Sequence, residues 1–387
     1  MTSTVEWMNG RITDAGVEAA IAQIGVPKPR HPVTITEDKI GSFALGVGDD
    51  NPLWWDREYA EGTRWRAMFA PPTGIYGGGQ RRPGEREVGS YTETILPGVL
   101  GLWIGDRWQF HRHARLGERI TGSTALHEVR EDQVEERRSF SGRTVTHVER
   151  TEFLGTDGEL VAELFRTLRR FERGEVRARG KYLDLPEPAY SPEQIQAISD
   201  QYEREPGQRR GAAIRYFEDV SAGDTLITLV KGPLTLSGLF AFLQGLGGSS
   251  PANRLMYRYL RDNPGGRVVN EDTGIEDYIG AAHYDSYFAR KSGLPRGYDL
   301  GAMRSAWFVH LLTDWMGDDG FITAFDMRLR RPNFIGDTTW LNGTVARTRG
   351  DGADGLVLCE LTATNQRDEI SASATATVRL PRRSPQS

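Results

Sequence analysis

The chain has 387 residues, 38% hydrophobic and 26% charged, which is enough for two domains and a linker, each with its own core. A net charge of −5 argues against general nucleic-acid binding, although 48 Lys+Arg leave room for a local anion site. The single cysteine, Cys359, excludes an internal disulfide. With no long apolar run and no basic-then-apolar start, a cytoplasmic protein without a membrane partner is expected.

In chain order, residues 1–30 read as peripheral, with a short helix around Asp14 to Ile24 stopped by Gly25. Thr36 caps a second helix in which Ile40, Phe43, Ala44 and Val47 recur at helical spacing. It ends at Gly48-Asp49-Asp50-Asn51-Pro52, just before Trp54-Trp55-Asp56. Gly77-Gly78-Gly79 is poor helix material and lacks the Lys-Ser/Thr of a phosphate loop. Strands are expected near 107–114, 119–130, 143–155 and 159–171, the last two joined at Gly155-Thr156-Asp157-Gly158. Residues 172–212 form a charged, Pro-rich linker with one helix, capped by Ser191, opened by Pro192 and boxed by Gln194. Glu205-Pro206-Gly207 marks its exit after Tyr202.

The second half repeats the first. A helix at 235–246 precedes a segment, 249–280, that has no counterpart upstream and carries a helix behind Ser250-Pro251. After His283-Tyr284-Asp285 comes a helix over 302–316, whose Met303, Trp307, Phe308, Leu311, Leu312 and Trp315 form one broad stripe. Strands follow near 321–331, 338–348, 355–365 and 370–380.

Three pairs of stretches carry the repeat. Trp54-Trp55-Asp56-Arg57-Glu58-Tyr59-Ala60 matches His283-Tyr284-Asp285-Ser286-Tyr287-Phe288-Ala289, with an indole where the other copy has an imidazole. Arg112 through Gly117-Glu118 matches Arg331 through Gly336-Asp337, and Glu159-Leu160-Val161-Ala162 matches Glu369-Ile370-Ser371-Ala372. A long helix and a strand meander, occurring twice, describe a central helix wrapped by an antiparallel sheet.

These residues resemble the MaoC-like, double-hotdog family of acyl-CoA hydratases and dehydratases, whose catalytic members read Asp-x-Asn-Pro-x-His-x-Asp. The resemblance covers about 34–171 and 213–381 and implies an α+β double hotdog, with two long central helices each wrapped by an antiparallel sheet. The implied domains are 1–171, a linker at 172–212, and 213–387 with 249–280 as an insertion. The first half keeps Asp49, Asn51 and Pro52 but has Trp54 in place of the histidine. The second keeps His283 and Asp285, with Tyr278, Gly280 and Ala281 where Asp, Asn and Pro belong. The two signature sites are expected to lie apart, so Asp49 is not expected to partner His283.

Hydration of a 2-enoyl thioester needs a base for water, an acid for C2 and donors for the thioester oxyanion. The resemblance assigns water activation to His283; the opposing reading is a core histidine in a decayed site. The missing carboxylate would come from Asp277, one position off register, or from Glu276. Gly301 resembles the family's backbone oxyanion donor, or is a plain turn glycine, and Asp285 suits a helix cap. Arg304, inside the apolar stripe, either neutralises a substrate or buried carboxylate or snorkels past the helix end. Trp54 fills a lost site or holds an acyl tail, Asp49 of the same signature is a candidate substrate-binding residue, and Arg331 either contacts CoA phosphates or lies solvated at a strand edge. His111-x-His113 has a metal-like spacing with nothing to complete it, and no Gly-x-Ser-x-Gly is present.

The expected activity is hydration or dehydration of a bulky acyl-CoA, with no metal and with CoA belonging to the substrate. A homodimer, or a hetero-oligomer with a related hotdog subunit, is expected. The alternatives are a non-catalytic acyl-CoA-binding or scaffold subunit, and a hotdog thioesterase.

Overall fold

The computed structural model describes residues 10–77, 95–96, 98–133, 142–172, 180–247, 251–262, 266–351 and 354–383. Gly78, Gly79 and Ser250, with the rest of the stretch 78–94, lie outside the described residues.

Helix α1 (Asp14–Ile21) is capped by Thr13 and ends before the expected Ile24. The short strands β1 (Lys28–Pro29) and β2 (Val33–Thr34) lead to α2 (Glu37–Val47), whose cap, Thr36, accepts from Lys39 N. Gly48 ends α2 in the left-handed region at φ 71°, a conformation that costs a glycine least. A 3-10 turn at Pro52–Trp54 runs into α3 (Arg57–Gly62).

The first meander is β3 (Leu100–Phe110), β4 (Arg119–Glu131), β5 (Thr144–Leu154) and β6 (Leu160–Phe171). β3 begins and ends earlier than its alternation suggests, because residues beyond Phe110 turn away to pair Phe69 with Arg115.

The linker helix α4 (Pro192–Gln208) carries the expected Ser191–Gln194 capping box but runs through Pro206 instead of stopping near Tyr202. Its last turn is held by tertiary contacts, with Glu205 buried and Arg209 bonded to Asp314.

The second half contains β7 (Leu229–Lys231), α5 (Leu236–Gly245), α6 (Asn253–Asp262), β8 (Arg267–Val269), β9 (Glu276–Tyr278), α7 (Ser286–Lys291) and α8 (Gly301–Met316). β10 (Phe321–Leu329), β11 (Thr339–Asp351), β12 (Asp354–Asn365) and β13 (Ile370–Pro381) complete it.

Apart from a small β8–β9 hairpin, the strands make one sheet in the order β1-β4-β5-β6-β3-β10-β13-β12-β11-β7, with β2 on β4. The halves meet where β3 pairs β10 antiparallel, Asp106 opposite Met327. Every residue of α8 from Ala302 to Met316 is buried, and one apolar core spans both halves.

Helices α2 and α5 cross at matched glycines. A Cβ on Gly46 would stand 2.7 Å from the Ala241 carbonyl oxygen, and one on Gly245 2.6 Å from that of Ser42. Phe43 and Phe242 meet beside the crossing, with centroids 6.0 Å apart. The repeat extends to the caps: Asp56 accepts from Tyr59 N at 3.0 Å and Asp285 from Tyr287 N at 2.7 Å. It extends also to the ion pairs Arg112–Glu159 and Arg331–Glu369.

Candidate active site

The two signature stretches occupy separate places, and each is built differently.

In the second half, a 3-10 turn over Ile279–His283 delivers His283, half-buried, against Tyr298. Its Nδ1 lies 3.1 Å from the Tyr298 carbonyl oxygen, and the two rings meet at a tilt with centroids 4.1 Å apart. A carbonyl can only accept, so Nδ1 carries the proton and Nε2 keeps its lone pair. Burial pushes the imidazole pKa down, against the opposing pull of the Tyr298 and Asp299 carbonyls. Among the described residues no carboxylate reaches ion-pairing distance of His283.

Asp277 accepts from the adjacent Tyr278 N at 2.7 Å, and burial raises its carboxyl pKa. Glu276 pairs across the hairpin with Arg267 at 3.1 Å. Gly301 opens α8, which has no side-chain cap, so the helix start presents backbone N–H groups.

Arg304 is committed to the protein: its Nε bonds Asp299 Oδ2, Nη1 reaches Ser371 Oγ at 3.1 Å and Nη2 the Arg331 carbonyl at 3.3 Å. Arg331 itself lies 3.3 Å from Glu369 Oε1.

In the first half, Trp54 is buried and its Nε1 donates to Asp49 Oδ2 at 2.8 Å. The backbone N–H of Asn51 holds the other oxygen at 3.0 Å, and Trp55 Nε1 donates to the Asp49 carbonyl at 2.9 Å. The indole thus bonds the signature carboxylate from the histidine's position in the motif. Phe43, Val47, Pro71, Thr73 and Val309 close the rest, leaving room for about one water molecule. An acyl chain does not fit there.

A histidine does face Asp49, from α8. His310 Nε2 stands 3.5 Å from Asp49 Oδ1, 3.4 Å from Glu205 Oε1 and 3.3 Å from Asp314 Oδ2. Its Nδ1 lies 2.7 Å from Lys231 Nζ, which also reaches the Val47 and Gly48 carbonyls at 3.3 Å. Arg209 Nε donates to Asp314 Oδ1 at 2.9 Å, and its Nη2 bonds Asp50. Asp49, Glu205, Lys231, His310 and Asp314 are all buried, so the loop after α2, the linker helix, β7 and α8 share one charged cluster.

Burial drives the His310 pKa down to about 4, against the pull of Asp49, and the Asp314 pKa up to about 6, against Arg209. Asp49, His310 and Asp314 are close enough together to suggest a metal site. However, an ammonium donating to Nδ1 leaves the proton on Nε2, so the imidazole offers no lone pair to an ion.

His111 and His113 are not a pair either: His111 sits 3.5 Å from Glu163, and His113 stacks on Phe69 with centroids 3.8 Å apart.

Sequence reasoning did not find Lys231, Glu205, His310 or Asp314. The available signal was the polar residues of α8, Arg304, Ser305, His310, Thr313 and Asp314, in a helix predicted to be embraced by a sheet.

Residues 22–164 match the family model described as FAS1-like, dehydratase domain region. A UPF0336 protein from Parafrankia is 28% identical over 147 residues, covering 34% of this chain and 80% of that protein. A solved MaoC-like dehydratase superposes with a TM-score of 0.61 at 18% identity, covering 94% of this chain and 99% of its own. A conserved hypothetical protein from Mycobacterium tuberculosis with a double hotdog fold gives a TM-score of 0.53 at 14% identity, covering 90% of this chain and 93% of its own. No helix among the described residues is long and apolar enough to cross a membrane. Residues 22–164 are thus similar to the FAS1-like dehydratase domain region, and the chain as a whole has the double-hotdog fold.

Proposed function

We propose that this protein is a hydro-lyase that adds water to a 2-enoyl-CoA, or removes it from a 3-hydroxyacyl-CoA, in its second half. The observation that carries the reading is the His283–Tyr298 contact, which fixes the tautomer and leaves Nε2 free to accept a proton. In the hydration direction His283 takes a proton from water, the hydroxyl adds to C3, and a proton reaches C2 from the site's acid. Asp277 is the residue assigned to supply it: burial raises its carboxyl pKa, and the nearest acid in sequence, Glu276, is engaged by Arg267. Gly301, at the uncapped start of α8, aims backbone N–H at the thioester oxygen.

The β8–β9 hairpin adds a wall beside His283, where Val268 packs with Ala281, Ala282 and Phe288, suiting a bulky acyl tail. The protein works in the cytoplasm, as a homodimer or with a related hotdog subunit.

A second reading, an acyl-CoA-binding subunit without catalysis, draws on the closed first-half site and on the lack, among the described residues, of a carboxylate at ion-pairing distance of His283. The test is turnover of crotonyl-CoA and bulkier enoyl-CoAs, following both loss of enoyl absorbance and thiol release. Hydration abolished by His283→Ala is the expected result. Saturable CoA-ester binding with no turnover across the panel would favour the subunit, and thiol release would make the protein a thioesterase.

A further inference from the structure

We propose that Trp103, contributed by the first half, sets which acyl groups the second-half site accepts, by restricting it to thioesters unsubstituted at C2. The inference rests on the reading of Gly301 as the seat of the thioester oxygen.

Trp103 lies directly on that glycine. A Cβ built on Gly301 would stand 2.5 Å from Cδ2, 2.8 Å from Cγ and 2.9 Å from Cε2 of the indole, so the face of the five-membered ring covers the first residue of α8. The ring is held in place. Its Nε1 donates to Asp106 Oδ1 at 2.8 Å, and Ser305 Oγ, one turn into α8, donates to Asp106 Oδ2 at 2.8 Å. Asp106 is buried, so one carboxylate ties the indole and the helix into a single geometry.

Tyr76 packs on the indole at 5.6 Å, and the Arg166 guanidinium lies 5.1 Å from the ring. The strand that carries it is hydrogen-bonded on both sides, to β6 and to β10.

A thioester with its oxygen on the Gly301 N–H has C2 one bond from the carbonyl carbon, so C2 is the acyl position nearest this wall. A methyl branch there meets the indole, whereas bulk further along the chain extends past it. The wall therefore selects against 2-substituted enoyl thioesters while permitting long or bulky tails.

The experiment compares crotonyl-CoA with tiglyl-CoA, its 2-methyl analogue, in wild type, Trp103→Ala and Trp103→Phe. One methyl group discriminated by a fixed apolar wall is worth roughly 10-fold or more in kcat/KM. Wild type should prefer crotonyl-CoA by that factor. Trp103→Ala should erase most of the preference by raising kcat/KM for tiglyl-CoA, with Trp103→Phe, which retains a packed ring, in between.

An unchanged ratio in Trp103→Ala, with crotonyl-CoA hydration intact and still lost in His283→Ala, overturns this inference alone. Absence of hydration by wild type on both thioesters overturns the reading of the site and the inference with it.

Discussion

His310, on the central helix of the second half, holds its Nε2 3.5 Å from Oδ1 of Asp49 in the first half. The signature carboxylate of one half therefore faces an imidazole from the other, and Lys231 supplies the cation behind it. Removing one member of such a buried set leaves the remaining charges without compensation, which costs about 3–5 kcal/mol. Lys231→Met should lower stability by that amount, read as a shift in the urea midpoint at unchanged m value. A loss below about 1 kcal/mol would mean that the carboxylates are neutralised without it.

The same cluster makes opposing contributions to the pH dependence of stability. The His310 pKa falls from 6.5 to about 4 on folding, so between those values the unfolded chain binds the extra proton and stability rises with pH. The Asp314 pKa rises from 3.8 to about 6, so the folded state holds the extra proton there and stability falls as pH rises. In wild type the two contributions largely offset. His310→Gln should add a falling component between pH 4 and 6, and Asp314→Asn a rising one, each up to about 1.4 kcal/mol per pH unit relative to wild type. Urea midpoints measured across that range decide it. Equal slopes in the two variants would refute the assignment.

The glycines at the α2–α5 crossing admit no side chain without movement of backbone. Gly46→Ala and Gly245→Ala should each cost about 1–3 kcal/mol, and the double variant should lose less than the sum, because the first substitution already separates the helices. Thermal melts of the three variants test both statements.

The paired aspartate caps predict a matched, smaller effect. Asp56→Ala and Asp285→Ala each remove one side-chain bond to a helix start, worth about 1 kcal/mol. Asp285→Ala should keep crotonyl-CoA hydration within a few-fold of wild type, since Tyr298 holds the His283 ring independently. A loss as deep as that of His283→Ala would place Asp285 in the chemistry.

Much of this fold is legible in the chain because local rules and tertiary structure agree. The Ser191–Gln194 box, the Thr36 cap, the apolar stripe of the central helix and the alternating runs of the second meander all lie where spacing puts them. The legible part of the candidate site is the motif itself: His283 in its turn and Asp285 on its cap. The charged cluster is not legible, because its members come from four separate segments and carry the charges of a solvated face. In α8, Arg304, Ser305, His310, Thr313 and Asp314 would ordinarily face water; here strands, the linker and the loop after α2 surround the helix, and each of these residues is buried. The linker helix overruns its Pro-Gly signal for the same reason, since Glu205 and Arg209 are drawn into that cluster. Trp103 and Gly301 are far apart in sequence and meet only in the fold, where Asp106 bonds both the indole and Ser305 of α8.

The β3–β10 pairing has a consequence for how the duplication can diverge. Two separate hotdog subunits dissociate on dilution, and anything built between them depends on protein concentration. Here the junction is a continuous strand ladder within one covalent chain, so association of the halves is unimolecular and its stoichiometry is always one to one. Each half is thereby free to lose a function that the other keeps. The first half carries an indole at the histidine's position in the motif and places Trp103 against Gly301 of the second, and neither arrangement depends on a separate partner being present.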